Sequence, residues 1–503
     1  MVEEAGNHRD GRALTMVSTP QGRAPLYEAL LGYIREGVLP CHFPGHKQGR
    51  GVDPRFLEFV GHGAFYLDLT EVPGLDDLHR PAGAIAEAQR LAAEAFGAEE
   101  TFFLVNGTTA GNQAMLLATC RPGDLVAVAR NAHRSVLAGL IMSGAFPLYL
   151  EPEWDPRLGI WLGLDPGKVE AVLERNPGIR ALLLTYPTYH GIAGHLEPIL
   201  RQAHERGIPV LVDEAHGSHL GFHPCFPPSA MQAGADASAQ SAHKTLGALT
   251  QASYLHVRGR RVDRERLRSA LQMVQTTSPS YLLMVSLDLA RRRMALEGYS
   301  LLGRALELAR EARRRLNRIP GLYCPGEEMT SRPGVAGLDP SRLLIHLAEL
   351  GITARQAESW LREHCRIQVE GAEGHLLVVP VTIADTPDTL EALVAALGRM
   401  AREKAGPAGE YPQDVPVPRP PAPEVVLSPR EALFRPRRRL PLRSATGHLA
   451  AEWVCPYPPG VPVLAPGERL TPEVVGWLEY ARAAGLKVQG PADSGLHTIA
   501  VLS

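Results

Sequence analysis

The chain has five lysines, Lys47, Lys168, Lys244, Lys404 and Lys487, and arginine supplies most of its remaining positive charge. Lys244 alone stands in a run that suggests chemistry, Ser241-Ala242-His243-Lys244-Thr245-Leu246. Arginine stays protonated and is no amine nucleophile, whereas a lysine destabilised as an ammonium by burial or a nearby cation can condense with an aldehyde. Lys244 is thus a candidate Schiff-base lysine, although an isolated His-Lys pair would read more simply as a surface cap. Two upstream segments reverse that balance. Ile208-Pro209-Val210-Leu211-Val212-Asp213 reads as a buried strand closing on an acid, which places Asp213 where it could face a protonated pyridine nitrogen; alone, it would pass for a helix cap. Thr101-Phe102-Phe103-Leu104-Val105 is a second strand-like run, followed by Asn106-Gly107-Thr108-Thr109 and an Ala/Leu-rich helical stretch. Glycine and hydroxyl residues between a strand and a helix N-terminus form an anion cradle, because free backbone N–H groups and the positive helix end face the loop. The segment matches neither the dinucleotide fingerprint nor the Walker loop.

These residues need a scaffold that gathers strand ends. From about residue 61 to 298 short apolar strands, including Leu125 to Val128, Ala181 to Thr185 and Pro209 to Val212, alternate with helical stretches. That alternation predicts an α/β domain with a mostly parallel sheet covered on both faces. Residues 1–24 read as a disordered N-terminus and 25–60 as an N-terminal arm with a helix from Pro25 to Gly37. A helix over Tyr299 to Arg318 leads into a smaller α/β domain at 299–405, with strands near Arg342 to Leu347 and Leu376 to Val381. Residues 406–423 form a proline-rich linker, and 424–503 a C-terminal α+β domain.

The chain order of phosphate loop, acidic strand end and lysine resembles fold-type I enzymes that use pyridoxal 5'-phosphate. Further segments sharpen the likeness: Pro44-Gly45-His46-Lys47, Gly74-Leu75-Asp76-Asp77-Leu78-His79, Arg130-Asn131-Ala132-His133-Arg134-Ser135, Thr276-Thr277-Ser278-Pro279-Ser280-Tyr281 and Pro456-Tyr457-Pro458-Pro459-Gly460-Val461-Pro462. Together they are similar to the bacterial ornithine/lysine/arginine decarboxylases, over roughly residues 25 to 300 and the last eighty. The resemblance implies Lys244 as the cofactor-bearing lysine, Asp213 at the pyridine nitrogen and His133 stacked on the ring. It implies a phosphate held by Asn106, Gly107, Thr108, Thr109, Ser241 and His243, with His216 near the ring. Thr276 and Ser278 would reach a neighbouring subunit's cofactor, so a homodimer is expected. Candidate acceptors for the distal basic group of the substrate are Glu452, just before the proline turn, and Asp77 or its neighbour Asp76. The implied activity is decarboxylation of a basic L-amino acid for polyamine biosynthesis, arginine or lysine ahead of ornithine. An aminotransferase of the same fold would need a small-domain arginine for the α-carboxylate, a part Arg366 could play. A non-catalytic paralogue would have lost cofactor residues, yet Lys244, Asp213, His133 and the 106–109 loop are intact.

Composition agrees with such a catalyst. A 503-residue chain with 45% hydrophobic and 21% charged residues is ordinary for a globular protein, and a net charge of −2 offers no attraction for nucleic acid or an anionic membrane. Six scattered cysteines without a CxxC pair suggest neither a metal site nor a disulfide framework, but reduced thiols in the cytoplasm. The acidic, polar N-terminus is no signal peptide, and no apolar run is long enough to span a membrane.

Overall fold

The computed structural model describes residues 19–404 and 417–503. The expected disorder of residues 1–18, and most of the proline-rich linker, lie outside the described residues.

Seven strands form the central sheet: β1 (Glu100–Leu104), β2 (Leu125–Ala129), β3 (Phe146–Leu150), β4 (Ile179–Thr185), β5 (Val210–Asp213), β6 (Ala237–Gln240) and β7 (Ser253–Val257). Their order is β1-β7-β6-β5-β4-β2-β3. Only β7 runs against its neighbours. Every residue of β5 and β6 is buried, as a sheet covered on both faces requires. One face is covered by α1 (Pro25–Glu36), α2 (Ala84–Phe96) and later helices, the other by α3 (Gly107–Thr119) and α4 (Arg134–Ser143). Because β1, β5 and β6 run the same way, their C-terminal ends open on one edge of the sheet. Asp213 closes β5, and residues 106–109 and Ser241 to Lys244 follow the ends of β1 and β6.

Helix α5 (Tyr281–Leu316) is 36 residues long, about 54 Å at 1.5 Å per residue. A helix beginning only at Tyr299 was expected; the helix instead begins at Tyr281, so the expected domain limit at 298 falls inside one continuous rod. Gly298 does not break the rod because it serves a close approach, where a Cβ would come within 3.3 Å of Phe222 Cβ. The fully buried Arg291 on this helix pairs with Asp288 and donates to the carbonyls of Gln21 and Arg23. Residues 19–24, expected within the disordered N-terminus, are therefore ordered, with a 3-10 turn at Pro20–Gly22.

The small domain pairs β8 (Arg342–His346), β9 (Gly371–Glu373) and β10 (Leu376–Pro380) in the antiparallel order β8-β10-β9, packed on α6 (Ala354–Cys365) and α7 (Pro387–Lys404). In the C-terminal domain β11 (Arg437–Pro441) pairs with β12 (Thr498–Leu502) beside α8 (Pro472–Ala483). The described end of the linker is held down: Val417 donates to Pro156 O and accepts from Trp154 Nε1. A buried ion pair between Arg130, at the end of β2, and Glu468 joins the large and C-terminal domains.

Among the described residues no helix is long and apolar enough to cross a membrane, and no cluster of His, Cys, Asp and Glu could hold a metal ion.

Candidate active site

Strand β6 ends at Gln240, and the chain turns at once into the helical segment Ala242–Thr245 that carries Lys244. Ser241 stands at the N-cap position but does not cap; its hydroxyl meets Thr108 Oγ1 at 2.5 Å, and Thr108 also meets Ser253 Oγ at 3.1 Å. Gly107 takes φ +70°, so its N–H turns to Gln251 O. Asn106 gives no side-chain cap to α3 and instead accepts from Thr276 N at 3.4 Å. The first turn of this 13-residue helix thus keeps N–H donors for an anion beside three hydroxyls, which fits a phosphate. His243 is tied back through Nδ1 to Ala252 O, leaving Nε2 for a ligand. Thr109 is exposed at the same helix end.

The side chain of Lys244 opens into the crevice but is crowded by protein. That desolvation pulls its ammonium down to about 8, helped by Arg342 and opposed by Asp213. Its Nζ lies 2.9 Å from His216 Nε2. Burial, then the charges of Lys244 and Arg342, hold His216 well below the usual imidazole range, so it is neutral and accepts the bond.

Asp213 is 3% exposed. Its Oδ2 accepts from Asn112 Nδ2 at 2.8 Å and its Oδ1 from Ala215 N at 3.2 Å. The same Asn112 amide donates to Ser135 Oγ, which lies 2.9 Å from His133 Nδ1. Ser135 N also donates to that nitrogen, so Nδ1 is an acceptor and Nε2 carries the hydrogen. Burial lowers the pKa of His133, which is neutral. The proline turn of the C-terminal domain closes over it: Arg134 N donates to Gly460 O, and a Cβ on Gly460 would come within 3.0 Å of the His133 ring.

The structure therefore brings together Lys244, Asp213, His133, His216, Ser241, His243 and the Asn106 to Thr109 loop. Thr276 and Ser278 are exposed on the segment bonded to Asn106, at the outer rim. Three acids are placed elsewhere. Glu452 is buried in the C-terminal domain, where its oxygens accept from Ala500 N and Ala492 N and pair with Arg439; that corrects its assignment as a substrate acceptor. Asp76 caps α2, accepting from the backbone of Ala82, Gly83, Ile85 and Ala86. Asp77 caps His79 N, in a turn bonded to Thr276 rather than to the surroundings of Lys244. Arg366 terminates α6 at φ +57° on the surface, so it is no carboxylate grip.

Sequence reasoning missed Asn112, Ser135, Ser253 and Arg342. Arg342, first residue of β8, is 3% exposed, its Nε has no hydrogen-bond partner and its charge acts on Lys244. A charged residue opening an apolar strand was the available signal.

A doubly wound sheet bearing a depressed lysine, a braced aspartate and an anion cradle defines a carbonyl-condensing amino-acid enzyme. Residues 24–333 match the model of the Orn/Lys/Arg decarboxylase major domain and residues 419–490 that of its C-terminal domain, so the chain belongs to the Orn/Lys/Arg decarboxylase family. It is similar to an arginine decarboxylase from Bacillus anthracis, 42% identical over 490 residues, covering 97% of this chain and 99% of that protein. An arginine decarboxylase from Bacillus subtilis is 42% identical over 482 residues, 96% of this chain and 98% of the relative. Among solved structures, lysine decarboxylase A from Pseudomonas aeruginosa superposes with a TM-score of 0.82 at 25% identity, covering 96% of this chain and 81% of that one. The chain is a pyridoxal-phosphate-dependent decarboxylase of basic amino acids.

Proposed function

We propose that the protein converts L-arginine to agmatine and carbon dioxide, with pyridoxal 5'-phosphate held between the 106–109 loop, Asp213 and Lys244, as a cytoplasmic homodimer supplying polyamine biosynthesis. The arginine assignment rests on one observation: the relatives that share 42% identity over nearly their whole length are arginine decarboxylases. The bound cofactor would supply an aldehyde for amine condensation and a conjugated ring that takes up the electron pair left when carbon dioxide departs.

The side chains account for the rest. With a pKa of about 8, Lys244 is unprotonated in a useful fraction of molecules near neutral pH, and His216 fixes where its Nζ points. Asn112 and the Ala215 N–H hold the Asp213 carboxylate rigid, so its negative charge faces the crevice without reorganising. Thr108, Ser241, Ser253 and the α3 terminus would hold the phosphate. His133 stands within reach of the charges of Asp213 and Lys244, while Arg342 offers a buried positive charge to the α-carboxylate.

The exposed apolar residues Phe43, Phe59 and Met273, 81%, 90% and 68% accessible, support a partner surface, with Met273 three residues before Thr276. Free thiols at all six cysteines support a reducing compartment. Incubation with arginine, lysine and ornithine in turn, with products identified by mass, tests the reading. Agmatine from arginine at the highest kcat/KM is expected; cadaverine or putrescine as the main product would move the substrate, and a keto acid would replace decarboxylation by transamination.

A further inference from the structure

Selecting arginine requires an acceptor for the far end of its side chain, and the structure commits Glu452 and Asp76 to backbone N–H groups. Another pair of carboxylates, in the small domain, acts on the surroundings of Lys244. Beyond β4 the chain runs through Tyr189-His190-Gly191. The Tyr189 ring stands edge-on to His216, 5.4 Å between centroids, and His216 is the residue that touches Lys244. On its other side Tyr189 meets His190 at 5.1 Å. Its hydroxyl lies over Gly371, where a Cβ would come within 2.2 Å, so only glycine admits it. That glycine opens β9, flanked by Glu370 before it and Glu373 two residues after it.

These groups are unusually short of partners. His190 is 5% exposed and its Nε2 has no hydrogen-bond partner, although it lies 3.6 Å from Glu373 Oε2. Glu373 Oε1 and the Tyr189 hydroxyl are buried without partners as well. Glu370 is exposed, and its negative charge acts on Lys244 and on Tyr189. Among the described residues neither glutamate has an arginine or lysine within ion-pair distance. A carboxylate oxygen withdrawn from water without a partner is costly, so a cation delivered by a ligand would be strongly favoured there.

Resting on the arginine reading above, we propose that Glu370 and Glu373 receive the distal guanidinium of the substrate, with the Tyr189 ring lining its aliphatic stem. The reach agrees: the guanidinium carbon of an extended arginine lies about 6 Å from Cα, which suits an acceptor one side chain beyond the His216–Tyr189 contact. The charges of both Glu370 and Glu373 act on the Tyr189 hydroxyl, and two carboxylates near one point suit a planar fork of N–H donors better than a single ammonium.

The test compares wild type with Glu370→Gln and Glu373→Gln, measuring kcat and KM for arginine and the inhibition constant of norleucine, an amino acid with a similar stem and no distal charge. Visible absorption of the bound cofactor monitors the α-amino end of the site. Each variant is expected to raise the arginine KM by about tenfold to a hundredfold, with the norleucine constant and the absorption band within threefold of wild type. An unchanged arginine KM overturns the proposal, and so does an equal loss for arginine and norleucine, which marks a structural role. If the wild type decarboxylates no basic amino acid at all, the functional reading fails before the variants are considered.

Discussion

Glu468→Ala should cost more than any surface change of similar size, because it removes one half of an ion pair that joins two domains. Arg130 is 4% exposed and Glu468 1%. The guanidinium donates to both carboxylate oxygens and to Val463 O, and it lies 4.3 Å over the Tyr149 ring. Deleting the carboxylate strands a buried charge, a loss of about 3 to 5 kcal/mol. The carbonyl and ring contacts survive, so a loss near 3 kcal/mol is expected. Arg130 precedes His133 by three residues, and Gly460 rests on that histidine, so the loosened joint should also lower kcat. Urea unfolding of Glu468→Ala, Arg130→Met and the double variant Arg130→Met with Glu468→Leu measures the coupling. The double variant should recover much of the stability lost in Glu468→Ala, since it buries no charge. If Glu468→Ala unfolds at the wild-type urea concentration, or the double variant shows the two losses simply added, the pair does not join the domains as described.

Asp213→Asn keeps the bond from Asn112 but removes the fixed negative charge; turnover should fall by at least about a hundredfold with the cofactor retained, and near-normal kcat would place the charge-stabilising role elsewhere. Mixing inactive Lys244→Ala and Ser278→Tyr proteins should restore up to about a quarter of wild-type activity through subunit exchange if Ser278 completes the partner's site; mixtures that stay inactive despite shown exchange refute a shared site. Burial raises the Glu214 carboxyl from 4.5 to about 7, so the folded protein keeps a proton that the unfolded chain releases. Its contribution is fully present below pH 4.5 and is lost as pH rises through 7, about 3 kcal/mol at some 1.4 kcal/mol per tenfold change in proton affinity. Urea unfolding at pH 5 and pH 8 should show that slope flattened in Glu214→Gln, and an equal slope in both proteins would refute it.

What could be read in the sequence was local. Asp213 closes an apolar strand and Lys244 follows the next one, so chain order and strand direction together place both at one sheet edge. Asn112 escaped notice because its role depends on Asp213, 101 residues away, and on Ser135 across a helix packing contact. Ser253 opens the one strand that runs against the sheet, so its arrival at the phosphate loop follows from topology rather than from any motif. Glu452 was assigned to the substrate because the family resemblance brings the proline turn it precedes to the site, whereas its own partners, Ala492 and Ala500, lie forty and more residues on. Gly298 looked like a boundary in sequence and proved to be a packing site within a helix.

The central claim is that Lys244 carries the cofactor opposite Asp213. Borohydride treatment of the purified protein, followed by peptide mapping, tests it most directly. Reduction should abolish the visible absorption and leave the pyridoxyl mass on a single peptide containing Lys244. Recovery of that mass on Lys47, bonded to His42 O, or on Lys168, paired with Glu153, would contradict the account.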